Sequence, residues 1–355
     1  MSLTGFRGLK NNIYDLERVN NLVGENGSGK TSFLEALYLM CTGVSFLTKA
    51  TETIANHTTK QFVVEGIQAG TKNSNKILVS YKQHKKTHFL NNKKTTQGKM
   101  FLRHPICLVD AFANRVVSGT PENRRRTIDR ALFHVEQEYL FEHRAYARCL
   151  KQRNKALKER QSTKQIGAWD ESLSMHGEKI TKMREKHILE ITTSFEEMSH
   201  LFLGREARIE FTRGWKGGSL YEALKRNIEK DKALKRTSCG PQRDDFMIGV
   251  SGKRAQTHVS HGQEKMLSLS YIFSQKSTIE KQTNKNTIIL FDETDSNLDE
   301  AATHKVIDYL KNVNNQILTA THPHSMLCKK LNGKTIFLKQ NQANFGTIKP
   351  TLETE

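Results

Sequence analysis

Eight consecutive residues constrain this chain more than any others: Gly24-Glu25-Asn26-Gly27-Ser28-Gly29-Lys30-Thr31, the pattern G-x-x-x-x-G-K-[ST]. The run follows residues 18–24, an apolar stretch that reads as a strand. It precedes residues 33–41, where Leu34, Leu37, Tyr38 and Cys41 recur at helical spacing. Glycines let the backbone curl closely enough for its N–H groups to surround phosphate oxygens. The helix start adds positive potential, Lys30 reaches the β- and γ-phosphates of a nucleotide, and Thr31, with Ser32 beside it, offers a magnesium ligand. Strand, loop and helix in this order predict an α/β fold that binds ATP with Mg2+.

Two further elements belong with the loop. In residues 288–293 an apolar run typical of a strand buried on both faces ends in Asp292-Glu293. That places Asp292 near the magnesium held by Thr31, and Glu293 where it can orient or deprotonate the attacking water. About thirty residues earlier comes Ser260-His261-Gly262-Gln263, opening a helix. Its hydroxyl and N–H groups suit an anion, although a plain helix cap explains the tetrapeptide equally well when it is taken alone.

The order phosphate loop, Ser-x-Gly-Gln helix, Asp-Glu strand resembles ABC-type ATPase heads, a class of P-loop NTPase. The resemblance implies that Ser260, Gly262 and Gln263 of one subunit close over the ATP of another. It also implies that residues 295–299, ending in Asp299, form the D-loop, and that His322, after a second buried strand at 316–320, is the switch histidine. More specifically, Phe6-Arg7, residues 19–31, Leu34-Glu35-Ala36-Leu37-Tyr38 and Gly43-Val44-Ser45-Phe46 resemble the bacterial RecF recombination proteins. So do residues 119–129, Lys151-Gln152-Arg153-Asn154, Trp169-Asp170 and Gly240-Pro241-Gln242-Arg243-Asp244-Asp245-Phe246. The chain departs from that family's pattern at Leu47 (usually Arg), at Asp110-Ala111-Phe112 (usually Pro-Glu), at Gln242 (usually His) and at Glu293 (usually Asp).

The resemblance implies an ATP-dependent homodimer that binds single-stranded and gapped double-stranded DNA, works with RecR and RecO proteins, helps load RecA in gap repair, and hydrolyses ATP slowly. An SMC-like chromosome-organising head is the alternative; the region between the two cassette halves is too short for long coiled-coil arms. A transporter ATPase would leave the charge unexplained.

Composition agrees with a nucleic-acid partner. The 355 residues include 56 Lys+Arg against 37 Asp+Glu, a formal net charge of +19. Such a surface favours polyanions, because neutralised phosphates release condensed counterions. Five scattered cysteines form no C-x-x-C pair, which fits a reducing cytoplasm. No stretch approaches the roughly 20 apolar residues of a membrane span.

The pattern predicts one head domain built from residues 1–120 and 205–355. Residues 121–204, where apolar positions recur every three or four, form a mostly α-helical inserted domain. Candidate DNA contacts are Arg124, Arg125 and Arg126, and, along the following helix, Arg148, Lys151 and Arg153.

Overall fold

The computed structural model describes residues 1–68, 75–110, 113–292 and 298–338. At its centre is a five-stranded, wholly parallel sheet in the order Lys334–Phe337, Val19–Val23, Ile317–Thr321, Ile288–Asp292, Ile106–Val109. Ile106–Val109 and Ile288–Asp292 are near-continuous apolar runs because both faces are covered, whereas Val19–Val23 also buries Asn20 and Asn21 and the edge strand Lys334–Phe337 alternates half-buried and exposed residues. Alternation along each strand sends side chains to opposite faces. Leu22, Leu108, Leu290 and Leu318 enter one core, while Val19, Cys107, Ile289, Phe291 and Ile317 enter the other. Truncating a fully buried member such as Leu290 or Leu318 to Ala costs about 2–5 kcal/mol.

The first core lies under the helix Lys30–Thr42, which is buried along almost its whole length, and under an antiparallel sheet. That sheet runs Asn12–Ile13, Ser2–Thr4, Phe62–Gln68, Asn75–Lys82, Lys85–Leu90, Lys93–Lys94. Leu3, Val64 and Val79 stand opposite one another on its inner side. Two-residue turns close its last hairpins: Gln83-His84 and Asn91-Asn92 all have positive φ, the geometry that matches strand twist.

The second core joins the central sheet to the helix His261–Thr283, to the three-stranded antiparallel sheet (Ala207–Thr212, Asp245–Val250, Lys253–Arg254), and to the helices Pro121–Val135, Tyr139–Lys158 and Asp170–Leu203. The second half of the expected helical segment forms a short helix, Thr163–Gly167, and the single 34-residue helix Asp170–Leu203. The helical segment does not enclose a separate main core. Ile128, Ile180, Ile191 and Phe195 join Leu267, Phe273, Phe291 and Ile317 in one cluster, leaving only Ala156, Leu157 and Ile166 in a small cluster apart. No helix among the described residues is long and apolar enough to cross a membrane.

Candidate functional site at the carboxyl edge of the parallel sheet

Because all five central strands run the same way, their carboxyl ends share one edge, the usual place for a ligand in an open α/β sheet. Register sets Thr321 opposite Val23 and Ala320 opposite Asp292. The phosphate loop, the acidic residue and His322 therefore leave neighbouring strands side by side.

Within the loop, Glu25, Asn26 and Gly27 are exposed at the crest, whereas Ser28 and Lys30 are buried. Gly24, Gly29, Thr31 and Ser32 are half-buried. Gly24 has no room for a side chain: a Cβ there would lie 2.4 Å from both the Leu338 carbonyl and Ser28 Oγ. Gly29 takes φ +98°, and a Cβ on it would meet Leu9 at 2.6 Å. No side chain caps the helix that begins at Lys30, so its first N–H groups are open to an anion. Lys30 Nζ reaches back over the loop, donating to the carbonyls of Gly24 (2.9 Å) and Glu25 (3.0 Å). Thr31 Oγ1 donates to Asp292 Oδ1 at 2.9 Å, although 261 residues separate them. Ser28 Oγ is buried with no hydrogen-bond partner among the described residues.

These features fit a nucleotide with its magnesium. Gly24 has no room for a Cβ, a buried hydroxyl lacks a partner among the described residues, and the hydroxyl–carboxylate pair is the oxygen donor set that Mg2+ takes. Glu293 and residues 295–297 of the expected D-loop lie outside the described residues. Asp299, at the end of that run, is exposed and caps the helix Glu300–Asn312 by accepting from the Ala302 N–H at 2.7 Å. His322 is exposed, with Nδ1 accepting from the His324 N–H at 3.4 Å.

The Ser-x-Gly-Gln element is a capping box. Ser260 Oγ accepts from the Gln263 N–H at 3.3 Å, and the Gln263 side chain accepts from the Ser260 N–H at 3.1 Å. Ser260 and His261 are exposed, and nothing lies within 4 Å of where a Gly262 Cβ would be. The plain cap and an open docking tip are thus the same structure. Behind the tip, the buried Glu264 accepts from Ser118 Oγ, fixing the helix start.

Arg7 and Glu35 form a pair that no sequence motif announces. Arg7, with φ +47°, pairs in bidentate fashion with Glu35, which is fully buried on the phosphate-loop helix; Ser45 Oγ also donates to Glu35. The hydrogen bonds to Glu35 raise the Arg7 pKa. Three of the fragments quoted above, around Arg7, Glu35 and Ser45, thus converge on one carboxylate that ties both flanking loops to the helix. Leu47, in the second of those loops, is exposed.

The arginines divide in two. Arg153 is fully buried and donates to Asp170 (2.7 Å), Asp231 (2.7 Å) and Thr237 (2.9 Å). Arg124 is buried and forks onto Asp245 at 2.7 and 2.9 Å. Arg125, half-buried, donates to the Asp244 carbonyl at 2.7 Å. Arg153 and Arg124 are committed inward, which corrects the expectation that they meet DNA, whereas Arg125 gives one donor to the fold and stays half-exposed. Asp244 also holds the buried Arg184, which reaches Asp129 and the Pro241 carbonyl. Burial opposes the Arg184 charge, but Tyr139, Asp129 and Asp244 outweigh it and raise its pKa. The run 119–129 and the run 240–246 therefore interlock as a structural clamp. Gln242 belongs to it, accepting from Tyr146 and donating to the Cys239 carbonyl. Asp110 is buried with Arg130 3.8 Å away, and residues 111–112 lie outside the described residues. Arg126, Arg148 and Lys151 are exposed; Arg126 is paired with Glu122.

The RecF/RecN/SMC N-terminal domain model matches residues 1–344. The chain is 34% identical to the DNA replication and repair protein RecF of Pseudoalteromonas translucida over 329 residues, 90% of each chain. It is 29% identical to that of Coxiella burnetii over 351 residues, covering 95% of this chain and 98% of the relative. Among solved structures, it resembles the recombination mediator protein RecF with ATPrS, of the RecFOR pathway, with a TM-score of 0.87 at 22% identity, covering 96% and 95% of the two chains. An Smc head bound to the C-winged helix domain of ScpA is more distant, with a TM-score of 0.55 at 16% identity, covering 95% and 92%.

Proposed function

The chain belongs to the RecF family, and from that premise we propose that it is an ATP-driven DNA-binding protein of recombinational gap repair. One observation carries the ATP half: the Thr31–Asp292 hydrogen bond at the mouth of a loop that has no room for a side chain at Gly24. Thr31 and Asp292 would hold Mg2+, whose charge offsets that of the β- and γ-phosphates. Lys30 and the uncapped N–H groups bind the phosphates. Glu293, next in the chain after Asp292, is the proposed base for the attacking water, and His322 the group that senses the γ-phosphate from the neighbouring strand.

The tip made by the exposed Ser260 and His261, with half-buried Gly262 beside them, is free to enter a second subunit's site. ATP would then be held between two copies, and the closed dimer would grip DNA where duplex meets single strand. Slow hydrolysis would release it. Family resemblance supports RecO and RecR as co-workers and RecA loading as the outcome. The +19 charge supports a polyanion, and the exposed Arg148 and Lys151 are the proposed contacts on the helix Tyr139–Lys158. The longest helix, 34 residues or about 50 Å, favours this over a chromosome-organising head with long arms.

The deciding experiment measures DNA affinity and sedimentation together with ATP, with ADP and without nucleotide. Dimers and tight gapped-duplex binding are expected with ATP only. Equal DNA affinity in all three states would refute the coupling.

A further inference from the structure

The last strand of the parallel sheet borders a cavity that the nucleotide site does not use. Ile106–Val109 ends the sheet, pairing with Ile288–Asp292 on one side and with no described strand on the other. The Ile288 N–H donates to the Pro105 carbonyl at 3.0 Å, so in a parallel ladder the odd-numbered residues turn their backbone groups to the partner strand. The N–H and C=O of Leu108 therefore point out of the sheet. Leu108 is 8% exposed, and among the described residues neither group has a hydrogen-bond partner. Buried backbone polar groups are rarely left in that condition.

Along this edge lies a cavity of about 220 Å³. Two of its walls come from the two cores: Tyr38 of the phosphate-loop helix from one, and Ile272 of the helix His261–Thr283 from the other. The helix Pro121–Val135 supplies a third wall, and none of residues 24–32 reaches the cavity. Tyr38 is 4% exposed, and its phenol lies where the charges of Arg130 and Asp110 both act on it. Its hydroxyl makes no hydrogen bond among the described residues. Arg130 is half-buried, and its one ion pair among those residues, with Asp110, is 3.8 Å long, beyond hydrogen-bond reach. Arg126 and Lys276 also line the cavity but are held by Glu122 at 2.6 Å and Glu280 at 2.9 Å. With Arg115, four cations thus stand against three carboxylates, and one positive charge is in excess.

We propose that this cavity binds a nucleoside monophosphate, at a site separate from the phosphate loop, with the edge of the base on Leu108 and the phosphate on Arg130. A nucleobase is planar and carries an acceptor beside a donor on one edge, the complement of the Leu108 N–H and C=O. Its faces would meet side chains from both cores, and the Tyr38 hydroxyl offers one further hydrogen bond. A guanidinium forks onto phosphate oxygens, and one excess positive charge suits a single phosphate. A peptide adding as a strand does not fit, because all four residues of Ile106–Val109 are buried and leave no open length of edge. A ligand here touches both the helix that opens at Lys30 and the helix that opens beside Ser260.

The test titrates GMP, AMP and UMP by calorimetry into the full wild-type chain and into the Lys30→Ala variant, in which the phosphate loop is disabled. At least one of the three should bind with a Kd below about 1 mM, equally in both chains. For that nucleotide, Arg130→Gln should weaken binding by about tenfold or more, the worth of a hydrogen bond to a charged group. Tyr38→Phe should weaken it by about twofold to tenfold, the worth of a neutral one. Arg130 is half-exposed and Tyr38→Phe removes a single oxygen, so both variants should melt within about 2 °C of wild type. The proposal is overturned if none of the three nucleotides binds. It is also overturned if binding is lost with Lys30→Ala and kept with Arg130→Gln, which would put the nucleotide in the phosphate loop. Affinity unchanged in both Arg130→Gln and Tyr38→Phe would overturn it as well, by placing the ligand elsewhere.

Discussion

Arg153 offers the sharpest test of how charge is used in this chain. Its guanidinium is fully buried, and two of its partners are the buried carboxylates Asp170 and Asp231. Burial opposes the charge, but those partners outweigh it and raise the Arg153 pKa. Replacing Arg153 with Met removes the cation, keeps much of the volume, and leaves two carboxylates in the interior with no countercharge. Breaking a buried ion pair in this way costs about 3–5 kcal/mol. For 355 residues unfolding as one unit, the unfolding entropy is about 0.75 kcal/mol/K, so the thermal midpoint should fall by about 4–7 °C. Calorimetry measures the midpoint, and a salt titration on the same protein measures DNA affinity at a temperature where the variant is folded. Adding Asp170→Asn and Asp231→Asn to Arg153→Met neutralises the stranded carboxylates and should recover at least about half of the loss. The reasoning fails if Arg153→Met melts within about 1 °C of wild type while its salt slope drops by about 0.9, the mark of a lost phosphate contact.

Three other outcomes are expected. Lys30→Ala should weaken ATP binding at least about a hundredfold, or about 2.8 kcal/mol, in calorimetric titration; unchanged affinity would remove the phosphate-loop assignment. Ser260→Arg fills the exposed tip and should abolish ATP-dependent dimers in sedimentation while leaving ATP binding by monomers intact, so persistent dimers would end the in-trans role. His134 and His187 are buried, and burial lowers both to about 4, against about 6.5 in an unfolded chain. The unfolded state therefore takes up protons that the folded state refuses. Stability is complete above about pH 6.5 and is lost as pH falls toward 4, by about 4 kcal/mol for the pair between pH 7 and pH 5. Denaturant midpoints at the two pH values check this, and equal midpoints would contradict it.

What was legible in the sequence was local. The phosphate loop, the acidic strand and the Ser260 helix announce themselves through glycine spacing, an unbroken apolar run and a capping pattern, each contained within about ten residues. Their meeting at one sheet edge follows from parallel pairing, which the apolar runs already imply. The arginines were misread because their partners are remote: Asp170 is 17 residues from Arg153, Asp231 is 78, and Asp245 is 121 from Arg124. A run of cations looks the same whether it faces water or a distant carboxylate. One signal was present, however. Arg153 falls in register with Tyr146, Cys149, Ala156 and Leu157, the buried stripe of its helix, while Arg148 and Lys151 fall off it. Arg124 keeps the same step with Ile128 and Ala131. Weighing cations by helical phase would have separated the two groups.

The strand that leads into the phosphate loop, Val19–Val23, lies between Ile317–Thr321 and Lys334–Phe337, both some 300 residues later. On the ribosome, it has no paired strand until those segments emerge. At about 5–20 residues per second, the wait is on the order of 15–60 s. A chain broken off before residue 317 would carry every residue of the loop and still lack the two strands that hold it in place. Nucleotide competence is thus acquired last, and a prematurely terminated fragment should be unable to assemble an ATP-holding pair with finished molecules.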